Sequence, residues 1–369
     1  LEVPALDDKK AMFTLVFDNL ITQLPGGTHT FVLSARDEMG HETVQTISIT
    51  VNLQIMTHPV VESEVWAHFA TLRGYVKNAS EEDKASYKFQ YRKSGTTTWK
   101  DVAGEVTVAT NLDASTKYEY RLLQNDTNSE PEEFTTEDDI QLPNSGFEDW
   151  YTDSDGLPKP AKDASSSFWD CGNVNYFGKH IMTTQNDETA LGQGSSVKME
   201  TQETMKIIAA GNIFTGTFER DGMGGILTLG RNFECRPNKL KGYYKYTSAK
   251  VSVSKGHLNE GEDDLCSLYI ALTDEQITVN TNKGIYFDPN SSAVIAYGSI
   301  SDEESKGADS FKEFTVDLEY KDLKRIPKYI IVVASSSKYG DYMEGGKGST
   351  MWLDDLELVY PKSMEEVRK

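Results

Sequence analysis

The chain has 369 residues, of which 37 are basic and 58 are acidic, and its formal net charge is −21. A surface this acidic repels nucleic-acid phosphates and anionic lipids, so we exclude both as partners. The sequence contains no run of about 18 apolar residues, and we therefore predict no transmembrane segment. The length is sufficient for two or three domains whose cores need no covalent staples.

The three cysteines, Cys171, Cys235 and Cys266, are an odd number and show no Cys-x-x-Cys spacing. This pattern favours neither a disulfide framework nor a zinc site. The chain begins at Leu1, and we expect that an N-terminal piece such as a signal peptide has been removed. The acidic composition suits a secreted protein and is compatible with the capture of Ca²⁺ by carboxylates.

Residues 1–53 show the alternation of a β-hairpin. Every second position is apolar or aromatic in two runs, which are His29, Phe31, Leu33 and Ala35, and then Ile47, Ile49 and Val51. The segment Asp37–Gly40 between them predicts a turn. This pair of strands resembles the last hairpin of bacterial immunoglobulin-like modules. The resemblance implies a module that is short or lacks its first strands.

Residues 54–137 form a second predicted β unit. Alternation predicts strands around Tyr87–Tyr91 and Tyr118–Leu122. The order of Trp99, Leu112, Tyr118 and Tyr120 resembles a fibronectin type III domain, in which these are core residues. The acidic residues around Glu137–Asp139 predict the boundary with the next unit.

Residues 138–361 form the third and largest predicted unit, which a charged tail at 362–369 follows. The predicted strands are Val197–Met199, Ile207–Ala210, Leu240–Tyr246, Lys250–Val253, Leu265–Leu272, Ala293–Ala296, Phe311–Leu318 and Tyr329–Ala334. Many short strands separated by polar, Gly-rich loops are typical of a sandwich or jelly roll. The sequence therefore predicts an all-β protein, in which two small β-sandwich modules precede a larger C-terminal β-jelly roll.

Five segments of the third unit occur in the order of a known family. They are Asn144–Trp150, Phe168–Asn173, Ala209–Phe218, Cys235–Tyr246 and Trp352–Leu356. Together they resemble the "putative carbohydrate metabolism" domain of outer-surface proteins from glycan-degrading gut bacteria. The resemblance implies a galactose-binding-like jelly roll, a secreted or surface-anchored lipoprotein, and a role within a polysaccharide-utilisation system. The family has no catalytic motif that maps onto these residues.

The two ends of this unit are predicted to pair, with Asn144–Trp150 as the opening strand and Thr350–Leu358 as the closing strand. Alternation places Trp352 and Asp354 on the core face of the closing strand. A carboxylate there is costly unless it is paired or metal-bound. In related carbohydrate-binding jelly rolls Ca²⁺ joins the first and last strands, and the resemblance implies Glu148 and Asp354 as ligands. The alternative is that Asp354 accepts backbone N–H bonds.

Sugar binding requires flat aromatic rings for the apolar faces of pyranoses, together with amides, carboxylates or arginine for hydroxyl groups. The candidates in loops and at strand ends are Trp169, Tyr176, Phe177, Arg220, Asp221, Tyr243, Tyr244 and Tyr339. Trp169 has serines and Asp170 as neighbours and is predicted to be exposed, whereas Trp150 and Trp352 are assigned to the core. Alternation separates Tyr243 from Tyr244, so one of the two is expected to face solvent. Burial in the core is the alternative for each aromatic candidate.

Hydrolysis of a glycoside requires a pair of carboxyl groups at a defined separation. Glu219 and Asp221, on either side of Arg220, are the pair that we consider first. The sequence contains no Gly-x-Ser-x-Gly, no His-Glu-x-x-His and no phosphate-binding loop. The six histidines show no ligand spacing.

Three hypotheses follow from these observations. The favoured one is a non-catalytic glycan-binding protein at the cell surface, secreted or lipid-anchored to the outer membrane, with an oligo- or polysaccharide as its ligand. The second is a glycoside hydrolase that acts through carboxylates in the jelly-roll cleft. The third is a structural or adhesion protein whose jelly roll contacts another protein of a surface complex.

Overall fold

The computed structural model describes residues 24, 26–52, 54–77, 87–102, 107–124 and 127–368. Their regular secondary structure is almost entirely β, which confirms the predicted fold class. The chain divides into two compact units: unit 1 comprises Leu1–Val61, Ala70–Ala109 and Thr116–Thr135, and unit 2 comprises Glu62–Phe69, Thr110–Ser115 and Thr136–Lys369. Residues 1–23 of the predicted immunoglobulin-like module lie outside the described residues. The immunoglobulin-like and fibronectin-like assignments stay predictions.

The strands up to residue 135 include the hairpins that alternation predicts, and two of them, β4 and β8, have residues in both units. They are β1 (Gly27–Arg36), β2 (Glu42–Val51), β3 (Gln54–His58), β4 (Phe69–Thr71), β5 (Arg73–Lys77), β6 (Tyr87–Lys93), β7 (Lys100–Asp101), β8 (Val108–Thr110), β9 (Lys117–Gln124), β10 (Thr127–Asn128) and β11 (Glu132–Thr135). Tyr118 and Tyr120 are buried, as predicted. Trp99 is not a core residue, because it lies half-buried beneath the guanidinium groups of Arg92 and Arg121, at 4.3 and 4.2 Å.

Unit 2 contains the remaining strands and one short α-helix within the described residues. The elements are β12 (Tyr151–Thr152), β13 (Pro158–Lys159), β14 (Trp169–Asp170), β15 (Val174–Asn175), β16 (Lys179–His180), β17 (Thr183–Asn186), β18 (Ser196–Glu200), β19 (Gln202–Thr204), β20 (Ile207–Ala209), β21 (Asn212–Asp221), β22 (Gly224–Leu229), β23 (Arg231–Asn232), β24 (Lys239–Thr247), β25 (Ser267–Thr273), β26 (Ile277–Asn280), β27 (Val294–Ser299), β28 (Ala308–Asp317), β29 (Glu319–Tyr320), β30 (Tyr329–Ser335), β31 (Thr350–Val359) and α1 (Met364–Val367). Single 3₁₀ turns occur at Glu62–Glu64, Ala164–Ser166, Thr281–Lys283, Glu304–Lys306 and Gly340–Tyr342. The predicted strand Lys250–Val253 is wrong, since these residues make isolated bridges instead.

Two antiparallel sheets make up most of unit 2. Sheet A has the order β26-β22-β21-β30-β25-β27-β29, with β14 paired to β21 and β23 paired to β30. Sheet B has the order β17-β18-β31-β24-β28. The pairs β12–β13, β15–β16 and β19–β20 are separate short hairpins. Neighbours in sheet A that are distant in sequence, such as β21 and β30, place residues from the whole unit side by side.

The main hydrophobic core lies between sheet A and sheet B. It includes Ile213, Leu268, Ile270, Ile330 and Val332 from sheet A, and Val197, Met199, Tyr244, Tyr246, Phe314 and Leu353 from sheet B. A second cluster, which we call the outer cluster, covers the other face of sheet A and includes Phe214, Leu227, Leu229, Ala271, Val279 and Ile331. Because alternate residues of β30 enter the two clusters, its apolar run is buried on both faces.

The closing strand β31 contains a β-bulge that the sequence does not reveal. The register with β24 shifts between Lys241 and Tyr243, and Asp355 on β31 has φ +47°. The bulge reverses the alternation, so that Leu353 and then Leu356 face the main core. The assignment of Trp352 to the core is therefore wrong, and its ring instead lies half-buried between two lysines on the other face of sheet B.

The stretch Asn144–Trp150 is a turn rather than the predicted opening strand. Asn144 and Phe147 have φ +50° and +57°, which is incompatible with an extended strand. The stretch still runs beside β31, because the Leu356 N–H donates to the Ser145 carbonyl over 3.0 Å. Trp150 packs against the main core, as predicted.

The segment Glu62–Phe69 belongs to unit 2 and is held there by a buried arginine. The guanidinium carbon of Arg236 lies 3.7 Å from the ring centroid of Trp66. Arg236 Nε donates to Glu137 over 2.8 Å, and Nη1 donates to the Ser63 carbonyl over 2.8 Å. Because Arg236 stacks on Trp66 and donates to the carbonyls of Ser63 and Val65, it secures this segment at three points.

Candidate functional site

A cavity of about 450 Å³ opens on the outer face of sheet A. Its walls come from the β15–β16, β19–β20 and β21–β22 hairpins and from the turn at Gly340–Tyr342. Leu227 of the outer cluster and Phe218, which packs against that cluster, form the base next to the sheet. The volume lies within the range of roughly 300–1,000 Å³ that small-molecule sites occupy.

Each of the three hairpins carries a large apolar side chain at its tip. The exposed fraction is 93% for Phe177, 84% for Met205 and 58% for Met223. Phe177 and Met205 have φ +50° and +51°, and Lys206 beside Met205 has φ +63°. The left-handed region costs an L-residue about 1–2 kcal/mol. Strained backbone with exposed apolar side chains is a feature of ligand-contacting loops.

Arg220 projects from β21 into the cavity and stacks on an aromatic ring. Its guanidinium carbon lies 4.1 Å from the ring centroid of Tyr176, and Nη1 donates to the Gly222 carbonyl over 3.2 Å. The ring centroids of Tyr176 and Phe177 are 4.3 Å apart. A guanidinium held flat on a ring directs its N–H groups sideways, where they are available to a ligand.

A glycine shapes the base of the cavity by making room for an aromatic ring. Phe218 on β21 lies opposite Leu227 on β22, two pairs of residues along from Arg220 and Gly225. A Cβ at Gly225 would lie 2.3 Å from Cε2 of Phe218. The Phe218 ring therefore lies flat across the neighbouring strand, and any larger residue at Gly225 pushes this ring away.

Asp341 supplies the one carboxyl group among the described residues that line the cavity. Within the described part of the chain, no hydrogen bond or ion pair holds this carboxyl group. Burial raises the pKa of Asp341 above its usual value. A desolvated carboxyl group without a partner is costly to the folded state and is a feature of functional sites.

The turn that carries Asp341 is anchored by a buried glutamate. Glu344 is fully buried and accepts hydrogen bonds from His257 Nδ1, over 2.9 Å, and from the backbone N–H groups of Lys255, His257 and Leu258. Burial opposes ionisation of Glu344, but these hydrogen bonds lower its pKa overall. The His257 ring stacks on Tyr339 and contacts Tyr342, at 4.4 and 4.3 Å between centroids. These contacts fix the turn on both sides of Asp341.

The structure brings together part of the predicted ligand set. Tyr176, Phe177 and Arg220 all line the cavity, although they come from two different hairpins. Tyr339 lies beside the cavity in the anchored turn, two residues before Asp341. Whether these residues bind a ligand stays a prediction.

Glu219 and Asp221 project from β21 on the face opposite to Arg220. Alternation separates them from Arg220, and neither is among the described residues that line the cavity. The Asp221 carboxylate accepts a hydrogen bond from Asn280 Nδ2 over 3.3 Å. The geometry therefore gives this pair no place in the cavity, either as catalytic carboxylates or as ligand contacts.

Trp169 and Tyr244 are core residues, so their predicted role in binding is wrong. Trp169 is 1% exposed, packs edge-on against Phe147, and donates from Nε1 to the Pro143 carbonyl over 2.7 Å. Tyr244 is fully buried in sheet B, whereas Tyr243 faces outward and is half-buried, as alternation predicts. Tyr243 lies on sheet B, away from the cavity on sheet A.

Several residues of the cavity were not predicted from the sequence. They are Val174, His180, Gln202, Met205, Ile207, Phe218, Met223, Asp341 and Met343. A sequence signal exists for one of them, since Asp341 lies between two tyrosines in a Gly-containing turn. The others come from the three hairpins and, for Met343, from the same turn as Asp341, and only the fold brings them together.

A family model described as "putative carbohydrate metabolism domain" matches residues 143–359. The chain belongs to this family. The matched range includes all of the residues that line the cavity, so the cavity is part of the carbohydrate metabolism domain. Among proteins with curated descriptions, none matches the chain.

Solved structures of two bacterial proteins are similar to this chain. One is described as a putative glycoside hydrolase from Bacteroides vulgatus, with 22% identity, coverage of 60% of this chain and 98% of that chain, and a TM-score of 0.47. The other is described as a putative glycoside hydrolase from Bacteroides thetaiotaomicron, with 19% identity, coverage of 82% and 89%, and a TM-score of 0.47.

The carbohydrate metabolism domain also contains the two carboxylates that the resemblance assigns to Ca²⁺. Both oxygens of Glu148 accept hydrogen bonds from Ser195, over 3.0 and 2.8 Å. Asp354 is 2% exposed and accepts a hydrogen bond from the Ala190 N–H over 2.9 Å. Burial raises the pKa of Asp354 to about 6, and the charges of Asp355 and Glu148 add to the rise.

These carboxylates suit Ca²⁺ in their chemistry but supply only part of a coordination shell. Ca²⁺ takes roughly six to eight oxygen ligands, and carboxylates are the ones it prefers. Within the described residues, no cluster of three or more His, Cys, Asp or Glu side chains is placed to hold a metal. A cation would offset the mutual repulsion of Glu148 and Asp354, with backbone oxygens or water as further ligands.

Proposed function

We propose that the carbohydrate metabolism domain binds a saccharide in the cavity on sheet A and acts as a non-catalytic glycan-binding protein. The observation that carries the proposal is the stacking of Arg220 on Tyr176 at a cavity of about 450 Å³. A saccharide ring has two apolar faces and a girdle of hydroxyl groups. A site for it needs apolar surface and polar groups that converge on one volume.

The cavity offers both kinds of surface. Tyr176, Phe177 and Phe218 provide aromatic rings, and Arg220 provides N–H donors. Asp341 provides an acceptor for hydroxyl groups, and a ligand hydroxyl would give it the hydrogen bond that the fold does not. The family of the chain is one of carbohydrate metabolism, which supports a saccharide as the ligand.

Binding is favoured over hydrolysis by the number of carboxyl groups. Glycosidases use two, at about 5–5.5 Å or about 6.5–9.5 Å from each other. Asp341 is the one carboxyl group that the described residues contribute to the cavity, and Glu219 and Asp221 lie on the opposite face of β21. We therefore keep the glycoside hydrolase as the alternative that an activity assay decides.

We also propose the cellular setting and a metal for this domain. A protein that captures glycans for a polysaccharide-utilisation system works at the cell surface, as a secreted or lipid-anchored protein. The acidic net charge of −21 keeps such a protein soluble and away from anionic lipid. Structural Ca²⁺ at Glu148 and Asp354 would join the turn at residues 144–150 to β31.

The experiment is a glycan array followed by calorimetric titration of the hits. We expect saturable binding at one site, lost in Arg220→Ala and retained in Arg36→Ala, an exposed arginine of unit 1. Reducing-sugar release that Asp341→Asn abolishes would establish the hydrolase instead. The absence of any glycan ligand, together with capture of a protein of the cell surface, would support the adhesion hypothesis.

A further inference from the structure

The walls of the cavity are more aliphatic than a bare sugar ring requires. Val174 from β15, Ile207 and Ile208 from β20, Met182 and Met343 line it beside the aromatic residues. Met182 and Ile208 are buried, which shows that the aliphatic surface continues into the wall behind the mouth. Aliphatic side chains accept and donate no hydrogen bonds, so they leave hydroxyl groups that touch them unsatisfied.

The aromatic rings of the cavity are partly covered by neighbouring side chains. The guanidinium of Arg220 covers Tyr176, and Phe177 contacts the same ring at 4.3 Å. The flat surface left for stacking a pyranose is therefore smaller than the number of aromatic residues indicates. The aliphatic wall needs an apolar group of another kind on the ligand.

The polar groups of the cavity lie beside the aliphatic wall, where a ligand that carries an apolar group would also need hydrogen-bond partners. Arg220 donates N–H groups beside the apolar wall, which suits a carbonyl oxygen as well as a hydroxyl group. Asn212 also lines the cavity, and its Oδ1 accepts a hydrogen bond from the Gly172 N–H over 2.8 Å. Donors beside an aliphatic wall match an ester, in which a carbonyl is attached to an alkyl group.

We infer that the cavity takes an O-acylated sugar unit, with the short acyl chain against the wall of Val174, Ile207 and Met205 and the ester carbonyl toward Arg220. This inference rests on the proposed function, since it names the class of saccharide that the same site prefers. Met205 is 84% exposed at the tip of its hairpin, and the acyl group would cover it. The strained turn at Met205–Lys206 holds that side chain at the mouth.

The test uses xylo-, manno- and galacturono-oligosaccharides that carry native acetyl groups, each before and after mild alkaline deacetylation. Titration calorimetry measures both forms of each backbone. Since a methyl-sized group in an apolar pocket changes affinity by roughly 10-fold or more, we expect at least one acetylated form to bind about 10-fold tighter than its deacetylated form.

Two variants test whether the cavity causes the preference for the acetylated form. Val174→Thr keeps the shape of the side chain and adds a hydroxyl group, and Met205→Gln makes the hairpin tip polar. Both should reduce the ratio of acetylated to deacetylated affinity while binding of the deacetylated form persists. Val359→Thr, a half-buried valine on sheet B, is the matched control and should leave the ratio unchanged.

The outcomes separate this inference from the proposed function. Equal or weaker binding of every acetylated form would overturn the inference and leave saccharide binding intact. A preference that Val174→Thr and Met205→Gln do not alter would also overturn it, because the acyl group would then lie elsewhere. No binding of either form by a protein that is folded by circular dichroism would overturn the inference, and the glycan array then decides whether the proposed function fails as well.

Discussion

Arg220 is the residue on which ligand recognition in the cavity depends most. Its guanidinium is stacked on Tyr176 at 4.1 Å and is tied to the Gly222 carbonyl, so little side-chain entropy remains to be lost on binding. Lysine has the same charge but neither the planar fork nor the stacking surface. The geometry of the Arg220 guanidinium, rather than its charge, should therefore determine the affinity for the ligand.

For this reason we predict that Arg220→Lys behaves more like Arg220→Ala than like the wild type. Loss of a charge-assisted hydrogen bond of roughly 1.5–3 kcal/mol corresponds to a loss of affinity of about 10- to 150-fold. Titration calorimetry with the best glycan of the array measures it. Wild-type affinity in Arg220→Lys would show that the charge alone is sufficient.

Asp341 is the second residue whose environment points to a ligand. Because burial raises its pKa, the folded protein binds this proton more tightly than the unfolded chain does. The stabilising contribution of the protonated form is complete below the ordinary pKa of 3.8 and is lost as the pH rises through the raised folded value. At neutral pH the ionised carboxyl group destabilises the fold.

We therefore predict that Asp341→Asn raises the melting temperature at about pH 7.5 and lowers saccharide affinity, since stabilisation with loss of function is the mark of a functional group. The gain in melting temperature should shrink as the pH is lowered toward about 4. Thermal melts across this range and a calorimetric titration check both parts. A variant that is less stable than the wild type at neutral pH would contradict the account.

At the scale of the elements, the β21–β22 hairpin defines the base of the cavity. Gly225 leaves the space in which the ring of Phe218 lies, since a Cβ there would be 2.3 Å from that ring. The ring is at the flexible end of its side chain, so it moves more easily than the backbone. The free space into which the Phe218 ring can move is the cavity.

Accordingly, Gly225→Ala should fill part of the cavity with the displaced ring and lower saccharide affinity by about 10-fold or more, at a small cost in stability. Phe218→Ala removes the ring, and the addition of Gly225→Ala to that variant should change nothing further. The double-mutant cycle is measured by calorimetry. If Gly225→Ala lowers saccharide affinity equally in the wild type and in Phe218→Ala, then displacement of the Phe218 ring is not the cause of the loss.

Alternation allowed most of the strands of unit 2 to be predicted, but it failed where backbone geometry intervened. It separated Tyr243 from the buried Tyr244, because β24 has an uninterrupted period of two there. It failed at Trp352, because the bulge at Asp355 reverses the faces of β31. It also failed at Trp169, because polar neighbours in sequence concealed a strand that pairs with β21 next to the core.

The candidate site was less predictable than the fold for a physical reason. Tyr176 and Arg220 were identified individually as ligand candidates, since their chemistry suits a sugar. Asp341 was not identified, because its role depends on features that only the fold shows. Its carboxyl group is desolvated beside Tyr269, and within the described chain no hydrogen bond holds it. The cavity joins the successive hairpins of residues 172–227 to Thr281 and to the distant turn at residues 340–343, and residue pattern alone does not reveal such a junction.

At the scale of the whole domain, the turn at residues 144–150 and the bulged β31 meet at a cluster of negative charge. Burial raises the pKa of Asp354 to about 6, and the charges of Asp355 and Glu148 add to the rise. Without a cation, stability falls as the pH rises from the ordinary value of 3.8 through about 6. A bound Ca²⁺ would remove this loss, because it favours the ionised form.

We predict that chelation lowers the melting temperature of the wild type at about pH 7.5, and that added Ca²⁺ restores it by mass action. Asp354→Asn should be insensitive to both treatments, and it should be more stable than the chelated wild type at that pH because it carries no buried charge. Differential scanning calorimetry measures these shifts. An unchanged wild-type melting temperature after chelation would rule out the metal.

The cavity on sheet A is the proposed saccharide site of the whole domain. The most direct measurement is calorimetric titration of the wild-type protein and of Arg220→Ala with the glycans that an array selects. We expect one saccharide site per chain in the wild type and loss of binding in Arg220→Ala, with Arg36→Ala unchanged. Binding that survives Arg220→Ala at full affinity, or the absence of any glycan ligand, would contradict it.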